Sequence, residues 1–123
     1  MHSIRIRLFT LALGVAASGF PFATAARAVE PDKKTVRTWK AKCASCHGAA
    51  GKGDTDKGKE QGIADMASDS WQKQFTDDQL KEAILKGLKR EKAGKKQEMD
   101  GYAEKLKPEE VIAIVGYVRG LKK

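Results

Sequence analysis

Histidine and cysteine, the side chains that most often bind transition metals, are scarce in this sequence. The 123 residues include two of each, and one of the histidines is His2. A closed zinc site needs about four protein ligands, so the chain is one ligand short unless a carboxylate takes part. Acid–base catalysis of the peroxidase type is not expected either, because no further histidine is available for it.

Aromatic residues and strand patterns are also sparse. Aromatics make up 7% of the chain, which argues against a nucleic-acid surface in which basic and aromatic side chains alternate. No stretch alternates apolar and polar residues as a half-buried strand does, and no internal repeat occurs. The sequence therefore predicts an all-α fold.

One stretch, residues 8–22, is continuously rich in apolar residues. Arg5 and Arg7 precede it, and small residues follow it at 23–28. This order is typical of a secretory signal peptide, so we assign residues 1–28 to the signal peptide and residues 29–123 to one mature domain. The run is too short for a convincing membrane span. We expect a periplasmic or otherwise exported protein with no integral membrane segment after cleavage; an uncleaved anchor is the alternative.

Both cysteines and the second histidine lie together in Cys43-Ala44-Ser45-Cys46-His47. On a helical turn, residues three apart project from one face, so both sulfurs can reach the two vinyl groups along one edge of a porphyrin. His47 follows directly, where a neutral imidazole nitrogen can bind the iron. This spacing is typical of covalent attachment of one haem c.

Two other interpretations of the cysteine pair are weaker. A disulfide between Cys43 and Cys46 closes so short a loop that it removes little chain entropy, and it leaves His47 without a role. A thioredoxin-like redox pair is expected beside a βαβ pattern, which is missing here.

Three main helices are predicted from apolar periodicity and end signals. The first follows Pro31-Asp32, with one face formed by Val36, Trp39 and Cys43. The second begins at a capping box, Thr76 to Gln79, and its apolar face is formed by Leu80, Ala83, Ile84 and Leu88. The third begins at Pro108, and its buried stripe is formed by Val111, Ile112, Val115, Val118 and Leu121.

Two long loops are predicted between these helices. Residues 48–62 include five glycines among charged residues, which favours a loop along one side of the haem. Residues 89–98 are highly charged and contain Gly94, so we expect a solvated loop or a frayed helix end leading to Met99.

The residues alone do not determine which group binds the second axial position of the iron. His2 is expected to be lost with the signal peptide, which leaves Met66, Met99, a lysine, water or no ligand. Methionine more often fills a core than binds a metal. For Met66, which lies close to the motif, we expect packing against the haem or the core.

The quoted motifs resemble a small bacterial class I cytochrome c, a monohaem c-type cytochrome. The resemblance rests on Cys43 to Gly48, the Gly-Lys-Gly-Asp run at 51–54, and residues 99–119, and it extends over about residues 32–121. It implies an α-helical fold around one covalent haem and a one-electron carrier rather than an enzyme. A haem enzyme or gas sensor with an open sixth position is the alternative.

The resemblance also implies residue roles. Cys43 and Cys46 form the thioethers, His47 is the proximal iron ligand and Met99 the distal one, while Trp39 and Tyr117 pack where the first and last helices cross.

The chain departs from the family pattern at three places. Thr35 stands where relatives have glycine at the helix crossing, and Asp100 replaces a common proline after the distal methionine. No proline lies between residues 32 and 107, so a non-proline carbonyl near Ile63 or Ala64 is expected to accept the proton of the proximal imidazole.

The mature domain is basic, because 21 of the 24 basic and all 16 acidic residues follow residue 28, a formal net charge of +5. A basic surface favours acidic redox partner proteins or an anionic membrane face. We expect a monomer whose basic residues near Met99 surround the exposed haem edge; these are Lys89, Arg90, Lys92, Lys95 and Lys96. A merely solvated loop is the alternative.

Overall fold

A computed structural model describes residues 30–122, so the predicted signal peptide lies outside the described residues. The described part contains six helices and one two-stranded sheet. They are α1 (Lys33–Lys42), α2 (Ala44–His47), α3 (Asp56–Gln61), α4 (Asp69–Gln74), α5 (Asp77–Lys86), β1 (Leu88–Lys92), β2 (Lys95–Met99) and α6 (Pro108–Gly120).

The two predicted helix starts with polar caps are confirmed. Asp32 caps α1 by accepting hydrogen bonds from the backbone N–H groups of Lys34 at 2.8 Å and Thr35 at 3.0 Å. At α5, the Thr76 N–H donates to the Gln79 side chain at 2.8 Å, and the Gln79 N–H donates to the Thr76 hydroxyl at 3.2 Å. These bonds satisfy N–H groups that have no partner within the helix.

Helices α1 and α6 cross through an aromatic contact, as the sequence implied. The rings of Trp39 and Tyr117 lie 5.0 Å apart between centroids. Thr35, which occupies the usual glycine position, is itself buried at this end of α1. The crossing is the centre of a core formed by Trp39, Met66, Leu80, Ile114, Val115 and Val118.

The predicted stripe of α6 is wrong at one position. Ile112 is 59% exposed, whereas Ile114 is 2% exposed and packs in the core. Val111, Val115 and Val118 are buried as predicted. The helix has apolar residues on more than one side, so periodicity alone does not decide which isoleucine faces inward.

The predicted loop over residues 89–98 is instead a β-hairpin, which is a small sheet within a mostly helical fold. β1 and β2 pair in antiparallel register, from Leu88 opposite Met99 to Lys92 opposite Lys95. The connection is a two-residue turn in which Ala93 and Gly94 both have positive φ, 52° and 72°. Almost every residue of the hairpin is exposed, so no apolar alternation reveals it in the sequence.

Three short helices were also not predicted as such. α2 is the attachment turn, and α3 lies within the glycine-rich loop of residues 48–62. α4 is fastened to α6 by Gln72, whose side-chain amide donates to the carbonyls of Met66 at 2.7 Å and Val118 at 2.8 Å. Arg119 adds hydrogen bonds to the carbonyls of Gln72 at 2.7 Å and Phe75 at 2.6 Å.

Within residues 30–122, none of the helices is long and apolar enough to cross a membrane.

The two isoleucines of α6 provide a matched pair for measuring how much a buried side chain contributes to the free energy of unfolding. We expect Ile114→Ala to lower the free energy of unfolding by about 2–5 kcal/mol, because it leaves a cavity in the buried core. The same change at exposed Ile112 should alter it by less than about 0.5 kcal/mol. Urea denaturation of the haem-loaded protein measures both values, and equal losses would contradict the observed burial.

Candidate functional site

The attachment motif forms one turn of helix directly after α1. Cys43 ends α1, and its carbonyl accepts hydrogen bonds from the N–H groups of Cys46 at 3.2 Å and His47 at 3.0 Å. The two cysteines form no disulfide, and they are half-buried together with His47. The turn therefore carries the three side chains on one short helical segment, as the spacing predicted.

The carbonyl end of this turn is held by hydrogen bonds from three other parts of the chain. The Cys46 carbonyl accepts from the Thr55 hydroxyl at 3.0 Å, and the His47 carbonyl accepts from the Gly53 N–H at 2.8 Å. The Gly48 carbonyl accepts from the buried Trp39 indole N–H at 3.2 Å. These contacts satisfy carbonyls that the short helix cannot satisfy itself.

The glycine-rich loop approaches the turn so closely that one position has no room for a side chain. A Cβ added to Gly58 would lie 2.6 Å from the Cys46 carbonyl oxygen and 2.4 Å from that of Gly53. Gly58 also donates its N–H to the Thr55 hydroxyl at 2.9 Å. The loop thus packs backbone against backbone beneath the attachment turn.

Burial changes the protonation of the site residues. Burial raises the pKa of the Cys43 thiol to about 11 and lowers the pKa of the His47 imidazole. At neutral pH the imidazole is therefore neutral, which is the form that binds a metal.

The Nδ1 atom of His47 is buried and has no hydrogen-bond partner among the described residues. The expectation that a carbonyl near Ile63 or Ala64 accepts its proton is therefore wrong. The Ile63 carbonyl lies instead against Gly53, where an added Cβ would be 2.4 Å from its oxygen. The imidazole is oriented by packing against Trp39, with 6.0 Å between the ring centroids.

The two methionines considered as ligands occupy different environments. Met66 is buried in the core, its N–H donates to the Gly51 carbonyl at 2.8 Å, and its own carbonyl accepts from Gln72. The expectation that Met66 packs in the core is confirmed. Met99 lies at the end of β2 and is half-buried, opposite Leu88 in the hairpin.

The segment after Met99 returns to the attachment turn. The Tyr102 hydroxyl donates a hydrogen bond of 2.9 Å to the carbonyl of Lys42, the residue before Cys43. Burial, followed by the neighbouring Cys43, Asp100 and Cys46 side chains, raises the pKa of Tyr102. The chain on the far side of Met99 is thus fixed next to both cysteines.

A glycine allows α5 to turn into the strand that pairs with Met99. Gly87 has a φ of 76°, and a Cβ there would lie 2.4 Å from the Met99 carbonyl oxygen. Only glycine combines this conformation with this approach.

Sequence reasoning missed several residues that support the site. Thr55, Tyr102 and Gln97 act through hydrogen bonds to backbone carbonyls of distant segments. Such bonds leave no periodic pattern in the sequence. Gln97 alone gives a weak signal, as an uncharged residue within the charged run of residues 89–98.

Comparison with known proteins identifies the family. The Cytochrome c family model matches residues 33–122. This chain belongs to the cytochrome c family. It carries the family's covalently bound haem c, and its mostly helical fold with one small sheet is consistent with the small monohaem class I proteins.

Solved structures agree with this assignment. The KustC0563 c-type cytochrome is 35% identical to this cytochrome, with a TM-score of 0.60; the match covers 72% of this chain and 98% of that one. A mutant of Kustc0563 gives 34% identity, a TM-score of 0.58 and the same two coverages. The comparison with curated proteins gives no match.

The residues of the attachment turn fit this cofactor. Two cysteine sulfurs and a neutral imidazole lie on one turn, which is the donor set that thioether attachment and iron binding require. Members of the family are generally electron-transfer proteins, which implies redox partner proteins for this one.

Removal of the Thr55 hydroxyl tests how the attachment turn is held. Thr55→Val keeps the shape but removes the bond to the Cys46 carbonyl and the cap of α3, so we expect the free energy of unfolding to fall by about 1–3 kcal/mol. Thr55→Ser keeps the hydroxyl and should retain most of the stability. Denaturant titration of the holoprotein provides the measurement, and equal losses in the two variants would exclude the hydrogen bond as the cause.

Proposed function

We propose that this cytochrome is an exported one-electron carrier whose haem iron is bound by His47 and Met99. The observation that carries the proposal is the position of the Met99 segment. The hydroxyl of Tyr102, three residues after Met99, donates a hydrogen bond to the carbonyl of Lys42, the residue before Cys43. The half-buried methionine therefore belongs to a segment that is fixed at the attachment turn.

Different side chains would attach the haem and bind its iron. Cys43 and Cys46 would hold it through two thioether bonds, and His47 would supply an imidazole nitrogen from the same turn. Met99 would supply a thioether sulfur from the end of β2. Bound haem supplies the redox chemistry, with iron alternating between ferric and ferrous states.

The ligand set favours electron transfer over catalysis. A methionine ligand raises the reduction potential, and the buried surroundings of His47 disfavour the additional charge of the ferric state. Among residues 30–122, His47 Nδ1 has no hydrogen-bond acceptor that would increase the basicity of the imidazole, which also favours a higher potential. With Met99 in place, oxygen and peroxide have no open position at the iron, so we propose a carrier and not an enzyme.

Export is proposed from the N-terminal sequence. The basic start, apolar run and small residues of positions 1–28 support a secretory signal peptide, and cytochrome c domains are typically exported. The mature domain would then begin at about residue 29 and act in the periplasm or an equivalent compartment.

The basic hairpin supports a docking role toward acidic redox partners. Lys92 and Lys96 are exposed and form no ion pair within residues 30–122, whereas Lys89 pairs with Glu98 at 2.8 Å and the Lys95 ammonium donates to the Lys59 carbonyl at 2.6 Å. These unpaired charges lie near the turn of the hairpin that carries Met99, where they would attract an acidic surface.

The ligand assignment is tested by a spectrum of the oxidised protein. We expect wild type and Met66→Leu to show the methionine-to-ferric-iron charge-transfer band, because Met66 lies in the core. Met99→Ala should lose this band and bind carbon monoxide rapidly in the ferrous state.

A high-spin wild-type spectrum with rapid carbon monoxide binding would contradict the carrier and favour the open-site alternative. A band that survives in Met99→Ala would show that another residue is the ligand.

The docking role is tested with small oxidants of opposite charge. We expect Lys92→Glu with Lys96→Glu to slow oxidation of the reduced protein by anionic ferricyanide about two- to tenfold at low salt. Oxidation by the cationic tris(phenanthroline)cobalt(III) complex should be faster.

Lys33→Glu with Lys73→Glu makes the same change in net charge on α1 and α4. Stopped-flow rates should change much less in this control. Equal changes in both double variants would show that only net charge matters and that the hairpin is not a docking surface.

A further inference from the structure

Gln97 is a buried polar residue in a strand whose other long polar side chains are exposed. It is 7% exposed, while Lys95, Lys96 and Glu98 are all open to solvent. Burial of an amide is unfavourable unless its polar atoms are paired. Its environment therefore indicates a specific set of partners.

Every part of the Gln97 amide has a partner. The Nε2 group donates to the carbonyls of Gly62 at 2.8 Å and Gln61 at 3.1 Å, and Oε1 accepts from the Arg90 side chain at 2.7 Å. Two acceptors on one side and one donor on the other fix the orientation of the amide, since the reverse orientation would lose all three bonds.

The acceptors lie at the end of α3, where helix carbonyls have no intrahelical partner. Two further bonds join β2 to the same place. The Gln61 side-chain carbonyl accepts from the Glu98 N–H at 3.1 Å, and the Lys95 ammonium donates to the Lys59 carbonyl. The end of α3 and β2 thus form a polar joint with Gln97 at its buried centre.

The same α3 segment supports the attachment turn at its other end. Thr55, which caps α3, donates to the Cys46 carbonyl, and Gly58 within α3 packs against that carbonyl. A short path of hydrogen bonds therefore leads from Cys46 through α3 to Gln97.

Gln97 and Met99 lie on one face of β2, because side chains two apart in a strand project to the same side. We propose that Gln97 is a positioning residue, which fixes β2 to the end of α3 so that the Met99 sulfur is held ready to bind the iron. The inference rests on the proposed ligand role of Met99. Tyr102 fixes the chain after Met99, and Gln97 fixes it before Met99.

Such a role predicts an effect on the methionine–iron bond rather than on the fold alone. When the segment is held, the sulfur that leaves the iron stays near it and rebinds, and added ligands compete poorly. When the joint is broken, the segment moves more freely, and an external ligand takes the position more easily.

The experiment measures displacement of Met99 by imidazole in the ferric holoprotein. Gln97→Met keeps the length of the side chain but cannot donate or accept the three bonds, and we expect its imidazole affinity to rise about tenfold. The limiting rate of binding at high imidazole, set by release of the methionine, should rise as well. Far-ultraviolet circular dichroism should be unchanged.

Glu98→Gln is the matched control, since it alters the neighbouring side chain on the opposite face and breaks only the exposed pair with Lys89. Its imidazole affinity should equal that of the wild type. Equal affinities of wild type, Gln97→Met and Glu98→Gln would overturn the positioning role.

Two further variants distinguish an error in the Met99 ligand assignment from an error in the role of Gln97. Met99→Ala should bind imidazole far more tightly than the wild type; if it does not, the ligand assignment itself is wrong. If Gln97→Met does not fold, Arg90→Met removes only the bond that Arg90 donates to Gln97 Oε1, which leaves that buried oxygen unpaired and should raise the affinity about threefold. No rise in that variant would overturn the inference.

Discussion

The structure depends on how one turn of helix satisfies the carbonyls at its end. α2 is only four residues long, so its last carbonyls point out of the helix and need donors from elsewhere. Trp39, Gly53 and Thr55 supply those donors from α1, the glycine-rich loop and the cap of α3. The attachment turn is thereby the point from which the loop and α3 take their positions.

The two sides of the proposed iron site are joined by polar contacts as well as by the core. The apolar core lies at the crossing of α1 and α6, where Trp39 contacts both Tyr117 and His47. The Met99 segment is instead held by side-chain bonds to backbone carbonyls, from Tyr102 and Gln97. The His47 side of the site is therefore held by apolar and aromatic packing, whereas the Met99 side is held by a few directional hydrogen bonds.

The sequence predicts well those helices whose apolar residues repeat with the helical period or whose first residue is a polar cap. The starts of α1 and α5 and most of the buried face of α6 follow from such signals. The hairpin does not, because charged strands show no alternation, and Ile114 is buried in place of Ile112 only because it packs in the tertiary core that also contains Trp39. The cofactor is evident from the spacing of five residues, while the His47 and Met99 ligand roles remain predictions that spectroscopy must test.

The charged hairpin also affects how copies of the chain meet one another. The edges of a two-stranded ribbon can pair with strands of other molecules, and the β2 edge is partly covered here because the Glu98 N–H donates to the Gln61 side chain. Here lysines face each other next to the turn, Lys92 opposite Lys95, and the outer side chains are almost all charged. Like charges would meet wherever two copies of this ribbon came together edge to edge, so pairing between copies through the sheet of residues 88–99 is disfavoured.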